Sequence, residues 1–273
     1  MKTRIISAIV GIVLLAGAFL LYGTIWFTII LDAISLIAVY ELLKSTGVLK
    51  HKAIVVAVML YSAYIPFLSY GDLNKFFVPI TFIFVVSLFI IFLIQHKKIR
   101  FSDISAAFFF ALLYPFSFST LTLIGNEALQ FSVFYLLLAF SAAWVSDTGA
   151  YFTGLALGKR KLCPEISPKK TVEGAIGGLV SAIVAFIIIS VVFTSVYDNL
   201  TVNYLYLLII APIASVLGMI GDLSASVIKR EYGIKDYGNI MPGHGGVMDR
   251  FDSILFVLPF IYLVIKFFPI IKI

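Results

Sequence analysis

Phe76–Gln95, FFVPITFIFVVSLFIIFLIQ, is the stretch on which the fold turns: twenty residues without one charged side chain. A helix of about 20 mostly apolar residues is what the hydrocarbon core of a bilayer requires. Comparable runs on either side cover roughly 5–22, 24–43, 53–69, 104–124, 131–151, 173–196, 204–223 and 253–268, so nine spans are expected. None alternates with a period of two, which argues against a transmembrane barrel.

Composition agrees. Hydrophobic residues make up 62% of the 273, charged residues 12%, and the mean hydropathy is +1.10. Soluble chains average about 45–50% apolar and about 25% charged, so a soluble enzyme is excluded, as are disordered and fibrous chains. A single cysteine, Cys163, excludes a disulfide scaffold. The net charge of +6 lies in short clusters between apolar runs, which points to a lipid surface and not to nucleic acid.

With the N-terminus placed in the cytoplasm, 17 of the 20 basic residues fall on the inner side, and only Lys75, Lys266 and Lys272 do not. That is the positive-inside pattern. The expected architecture is an all-α polytopic membrane bundle of about nine transmembrane helices, N-terminus inside and C-terminus outside. Residues 1–125 would hold five spans. Residues 126–273 would form a catalytic region of four spans with two long cytoplasmic loops, about 152–172 and 224–252. The first span, led by Lys2 and Arg4, contains Ala16-Gly17-Ala18, similar to a signal-peptidase site, but its apolar run outlasts an ordinary signal.

Carboxylates at membrane depth are costly and mark function. Asp147 lies near the inner end of the sixth span, Asp222 ends the eighth, and Asp249 and Asp252 stand where the ninth begins. Each alone reads equally well as a solvated helix end. Four at one depth, beside two Gly-rich loops, read as a site. Clustered hard oxygen ligands without Cys or His partners suit Mg²⁺ and not zinc. Asp32 is mid-span and reads as a buried acid paired with a neighbouring helix or as a functional one; Glu41, near an inner end, is equally ambiguous.

The cations complement the acids. Ser167-Pro168-Lys169-Lys170-Thr171 reads as a helix start, Ser as N-cap and Pro as first helical residue, aiming two lysines and free N–H groups at an anion. Gly243-His244-Gly245-Gly246 can expose backbone N–H groups to phosphate, beside Lys229, Arg230, Lys235 and Arg250. Gly154-x-x-x-Gly158-Lys159 is one residue short of a P-loop and reads as a loop, whereas Gly174-x-x-x-Gly178 fits close helix packing. Metal-binding carboxylates plus phosphate-binding cations at one membrane face imply phosphoryl or nucleotidyl transfer between a polar substrate and a lipid. A transporter built around Asp32 is the rival, but no internal repeat or broken midplane helix supports it.

Ser226-x-Ile228-Lys229-Arg230-x4-Lys235-Asp236-x-Gly238, running into Pro242-x-His244-Gly245-Gly246-x-x-Asp249-Arg250-x-Asp252, resembles the signature of the phosphatidate cytidylyltransferase family. Ser146-Asp147-Thr148-Gly149, Ser167–Gly174 and the Gly221-Asp222 pair are similar to other segments of that family. The resemblance implies a multi-pass enzyme of the plasma membrane, with its active site facing the cytoplasm. Its substrates would be CTP and phosphatidic acid, and a related enzyme acting on another lipid phosphate or a lipid alcohol is the nearest alternative. It further implies Mg²⁺, with K⁺ as a candidate second ion, and a homodimer. Asp222 and Asp249 would be metal ligands and catalytic, with Asp147 and Asp252 as further ligands or supports for them. Lys229, Arg230, Lys235 and Arg250 would hold phosphates, Lys229 and Arg250 at the reacting centre. Ser146, Lys169, Lys170, Ser226, Asp236, His244, Gly245 and Gly246 would bind substrate.

Overall fold

The computed structural model describes residues 17–128, 131–197, 200–240, 245–268 and 270–272. The structure is nearly all helical. The helices are α1 (Ile25–Ser45), α2 (Lys52–Tyr64), α3 (Phe77–Ile94), α4 (Phe101–Ala128), α5 (Ser132–Phe140), α6 (Ser146–Leu157), α7 (Val172–Val196), α8 (Tyr204–Glu231), α9 (Met248–Phe251) and α10 (Ile254–Phe267). Two short antiparallel ribbons complete it, β1 (Lys161–Cys163) with β2 (Ser167–Thr171) and β3 (Thr201–Val202) with β4 (Ile271–Lys272).

Among the described residues, seven helical segments are long and apolar enough to cross a membrane: Ile25–Ser45, Lys52–Ser69, Leu73–Ile94, Phe101–Ala128, Ser132–Leu157, Val172–Val196 and Tyr204–Glu231. Ile254–Phe267 is apolar but shorter. The expected span over 5–22 lies almost wholly outside the described residues. The apolar surface is turned outward, as bilayer solvation requires. On α3, Val78, Phe82, Ile83, Leu93 and Ile94 are exposed, while Phe84 and Leu88 are buried.

The chain divides into two compact units. The first comprises Met1–Leu123 and Tyr232–Phe251. In it α2 packs against α1 and α3, and the Tyr61 ring stacks on Phe84 at 4.1 Å while its hydroxyl bonds Thr81 at 2.9 Å. The short α9 sits against α1, with Phe251 edge-on to Phe118. Asp32 is half-buried on α1, and its Oδ1 has no hydrogen-bond partner among the described residues.

The second unit comprises Ile124–Glu231 and Asp252–Ile273. Its centre is α7, in close contact with α6 and α8, while α10 lies along α8. The α6–α7 contact is drawn tight by glycine. A Cβ on Gly174 would come within 2.7 Å of the Ala150 carbonyl oxygen, and one on Gly178 within 3.0 Å of that of Ser146. Gly174-x-x-x-Gly178 is thus a packing motif, as its spacing implies.

Three sequence readings are corrected. Ser167-Pro168 does not open a helix: residues 167–171 form β2, and α7 begins at Val172. Thr171 is the N-cap, extended at φ −125° and ψ 156°, its Oγ1 accepting the Gly174 N–H at 3.1 Å. Pro168 is accommodated because a two-stranded ribbon leaves edge positions that need no donor. Gly154 is not in a loop, since α6 runs on to Leu157, and Asp222 does not end its helix, since α8 continues to Glu231.

Candidate active site

In the second unit the site is built where α6, α7, α8 and the β1–β2 ribbon meet. The chain enters it through a π-helical turn, Ser141–Val145, which joins α5 to α6. Such turns recur at functional sites. The turn delivers Ser146 and Asp147 at the start of α6. Ser146 Oγ lies 2.6 Å from Ser215 Oγ, coupling α6 to α8. The Ser253 hydroxyl donates to Asp147 Oδ2 at 2.7 Å, while the Ser253 N–H donates to Asp252 Oδ1 at 2.8 Å. One serine therefore orients two of the expected carboxylates. Burial, reinforced by the Asp222 charge, pushes the Asp252 carboxyl up to about 7, against the opposing pull of Lys229.

On α8, Asp222, Ser226 and Lys229 follow at i, i+4 and i+7, which places them on one face. From β2, the Lys170 ammonium pairs with Asp222 Oδ2. Side chains alternate along a strand; Lys169 is exposed and Lys170 half-buried. The ribbon is fixed at both ends. Glu173 accepts the N–H groups of Lys159 at 3.0 Å and Arg160 at 3.1 Å, folding the chain back into β1. Arg230 Nε donates to the Ile166 carbonyl at 3.2 Å, tying the ribbon's tip to α8.

These elements enclose an open cavity of about 600 Å³. Its polar lining comes from Ser146, Asp147, Lys161, Lys169, Lys170 and Asp222, its apolar wall from Ala150, Tyr151, Leu155, Leu162 and Met219. Three lysines and two aspartates thus line one cavity beside an apolar wall.

The first unit holds the rest of the expected residues. Lys235, Asp236 and Arg250 are exposed. Asp249 is buried, its Oδ2 accepting the N–H groups of Tyr237 at 2.8 Å and Gly246 at 3.0 Å. Gly245 has φ +87°, a backbone conformation that favours glycine. His244 lies outside the described residues. Ser146, Asp147, Lys169, Lys170, Asp222, Ser226, Lys229, Arg230 and Asp252 thus share one unit, and Lys235, Asp236, Gly245, Gly246, Asp249 and Arg250 the other.

Sequence reasoning missed Lys161, counted there only as a positive-inside charge, and the anchoring role of Glu173. The Glu173 signal was present, an acid in the first turn of a helix, but its partners lie 13 and 14 residues upstream.

Among the described residues, no three Asp, Glu, His or Cys side chains stand together as a metal cage. Mg²⁺ is usually held by one or two carboxylates and completed by water and substrate phosphates, and Asp147 and Asp222 on the cavity wall are hard oxygen donors of that kind.

The chain matches the cytidylyltransferase family over residues 2–268. It is 36% identical over 275 residues to the phosphatidate cytidylyltransferase of Bacillus subtilis, covering 98% of each chain. It is 33% identical to that of Staphylococcus haemolyticus, over 95% of this chain and 96% of the relative, and 34% identical to that of Staphylococcus aureus at the same coverage. The chain belongs to the cytidylyltransferase family, a class of CTP-using nucleotidyltransferases, and is a membrane protein.

Proposed function

We propose that this protein transfers the cytidylyl group of CTP to phosphatidic acid, giving CDP-diacylglycerol and pyrophosphate. The observation that carries the reading is the cavity in which three lysines, two aspartates and an apolar wall meet. A phosphate oxygen of phosphatidic acid attacks the α-phosphorus of CTP. A P–O bond forms to the lipid phosphate as the bond to the pyrophosphate oxygen breaks, and that electron pair leaves with pyrophosphate. The nucleophile is already an anion, so no proton need be removed in the attacking step.

The obstacle is repulsion between two polyanions, and preorganised positive charge lowers it. Lys161, Lys169 and Lys170 hold phosphate, with Lys229 and Arg230 on α8 adding to the field, while Tyr151, Leu155 and Met219 receive the lipid's apolar part. Mg²⁺, with K⁺ as a candidate second ion, would be held by Asp222 with Asp147 and Asp252, and when bound would neutralise phosphate charge. Lys235, Asp236, His244, Gly245, Gly246, Asp249 and Arg250 keep the nucleotide-binding and catalytic roles that the signature implies. The inward bias of basic residues supports a site facing the cytoplasm, where CTP is available. A homodimer is proposed on the resemblance alone.

The test is incubation of the purified protein in mixed micelles with phosphatidic acid and CTP labelled at the α-phosphate. Label should appear in a CDP-lipid. Label transfer to a lipid alcohol or a polyprenyl phosphate but not to phosphatidic acid would overturn the assignment.

A further inference from the structure

Glu41 is one of the few acids on an apolar helix, and it is buried, with only 3% of its surface exposed. A buried carboxylate is costly unless it is hydrogen-bonded. Its two oxygens are used separately: Oε1 accepts the Val247 N–H at 3.2 Å and Oε2 the Met248 N–H at 3.0 Å. These partners lie more than 200 residues away, in the glycine-rich segment just before Asp249.

The segment is shaped around this carboxylate. A Cβ added to Gly238 would fall on Glu41 Oε1, and one added to Gly246 on both oxygens. The next amide upstream, Gly246 N–H, is held by Asp249 Oδ2, which also holds Tyr237 N–H. Three successive amides, 246 to 248, are therefore divided between two carboxylates, and the segment is clamped from both ends.

We infer that Glu41 is a positioning residue for the 245–249 segment, setting the path of its backbone and thereby the orientation of Asp249. It acts through that segment, and so is not itself catalytic. A glutamine in its place keeps the shape but swaps one acceptor oxygen for an NH₂ group, which would confront an N–H instead of receiving it. An aspartate keeps the charge but is one methylene shorter, and reaches the two amides less well. The structural claim is independent of the proposed cytidylyl transfer; only its kinetic readout rests on that reading.

The test compares wild type, Glu41→Gln, Glu41→Asp and Gly246→Ala, each purified as the full chain in detergent. Hydrogen exchange is followed in peptides covering 245–251, with peptides from 172–196 as internal control. Glu41→Gln and Gly246→Ala should speed exchange at 247–248 by about tenfold or more, the scale of a lost hydrogen bond to a charged group, and leave 172–196 unchanged. In cytidylyl transfer the KM for CTP should rise by about tenfold in Glu41→Gln, with the KM for phosphatidic acid unmoved and Glu41→Asp intermediate. A mere loss of folded protein would lower kcat and move neither KM. Unchanged exchange at 247–248 in both Glu41→Gln and Gly246→Ala, or an unchanged KM for CTP, would overturn the inference. If wild type forms no CDP-lipid, the proposed function fails and the exchange data alone decide the role of Glu41.

Discussion

Lys170 and Asp222 form an ion pair between the β2 ribbon and helix α8, each side chain about a quarter exposed at 25%. For a pair so largely withdrawn from water, the cost of desolvating both charges offsets much of their attraction. The significance of this one is positional: the Lys170 ammonium occupies the carboxylate that is proposed as a metal ligand.

The neighbouring lysines should therefore behave differently on mutation. Lys169→Ala removes an exposed lysine that is proposed to hold phosphate and should raise KM about tenfold, with kcat within about twofold of wild type. Lys170→Ala also releases Asp222, and should lower kcat as well. Steady-state kinetics with phosphatidic acid varied separate the two, and wild-type constants in both variants would reduce these lysines to topology signals.

Asp222→Asn and Asp249→Asn should each lose about 10²-fold or more in turnover, the scale on which lost electrostatic stabilisation is felt. Both should extract and purify like wild type. Asp32→Asn should retain activity within about threefold, because Asp32 belongs to none of the segments that resemble the family signature. A dead Asp32→Asn beside an active Asp222→Asn would return attention to transport.

Gly174→Val should destabilise the fold. Its Cβ would press on the Ala150 carbonyl at 2.7 Å and on Thr171 Oγ1 at 2.9 Å, and such overpacking costs roughly 1–3 kcal/mol. A lowered thermal midpoint in detergent is the expected result. An unchanged midpoint would mean that the α6–α7 contact is looser than its geometry.

Topology is open to chemical labelling. After Cys163→Ser, a cysteine at Lys159 or Lys235 should be shielded from an impermeant thiol reagent added outside intact cells, and one at Asn126 should react. Labelling at Lys235 from outside would reverse the orientation inferred from the basic residues.

The membrane helices were legible because bilayer solvation writes length and hydropathy directly into sequence. Seven expected spans coincide with helical segments long enough to cross a membrane, from Ile25–Ser45 to Tyr204–Glu231, while the one expected over 253–268 meets the shorter Ile254–Phe267 helix. Helix ends were less legible. Ser167-Pro168 carried a helix-start pattern, yet Thr171, four residues on, carried the cap, and local composition ranks neither above the other. Depth placed Asp147, Asp222, Asp249 and Asp252 together; the structure puts Asp147, Asp222 and Asp252 in one unit and Asp249 in the other. Glu41 was ambiguous for a different reason: its meaning depends on two amides beyond position 240, and no local pattern records such a partner.

The π turn at Ser141–Val145 has a consequence for register. An α-helix turns about 100° per residue, and a π turn houses one residue more than the regular coil around it. Deleting one residue between Ala142 and Trp144 would let the wide turn close to a regular α turn, leaving Ser146 and Asp147 close to their present phase. The same deletion in the regular coil of α5 would instead swing both by about 100° around the axis, carrying the hydroxyl away from Ser215 and the carboxylate away from Ser253. Tolerance for a one-residue change on the way to the site thus lies in the wide turn, in residues that carry no charge.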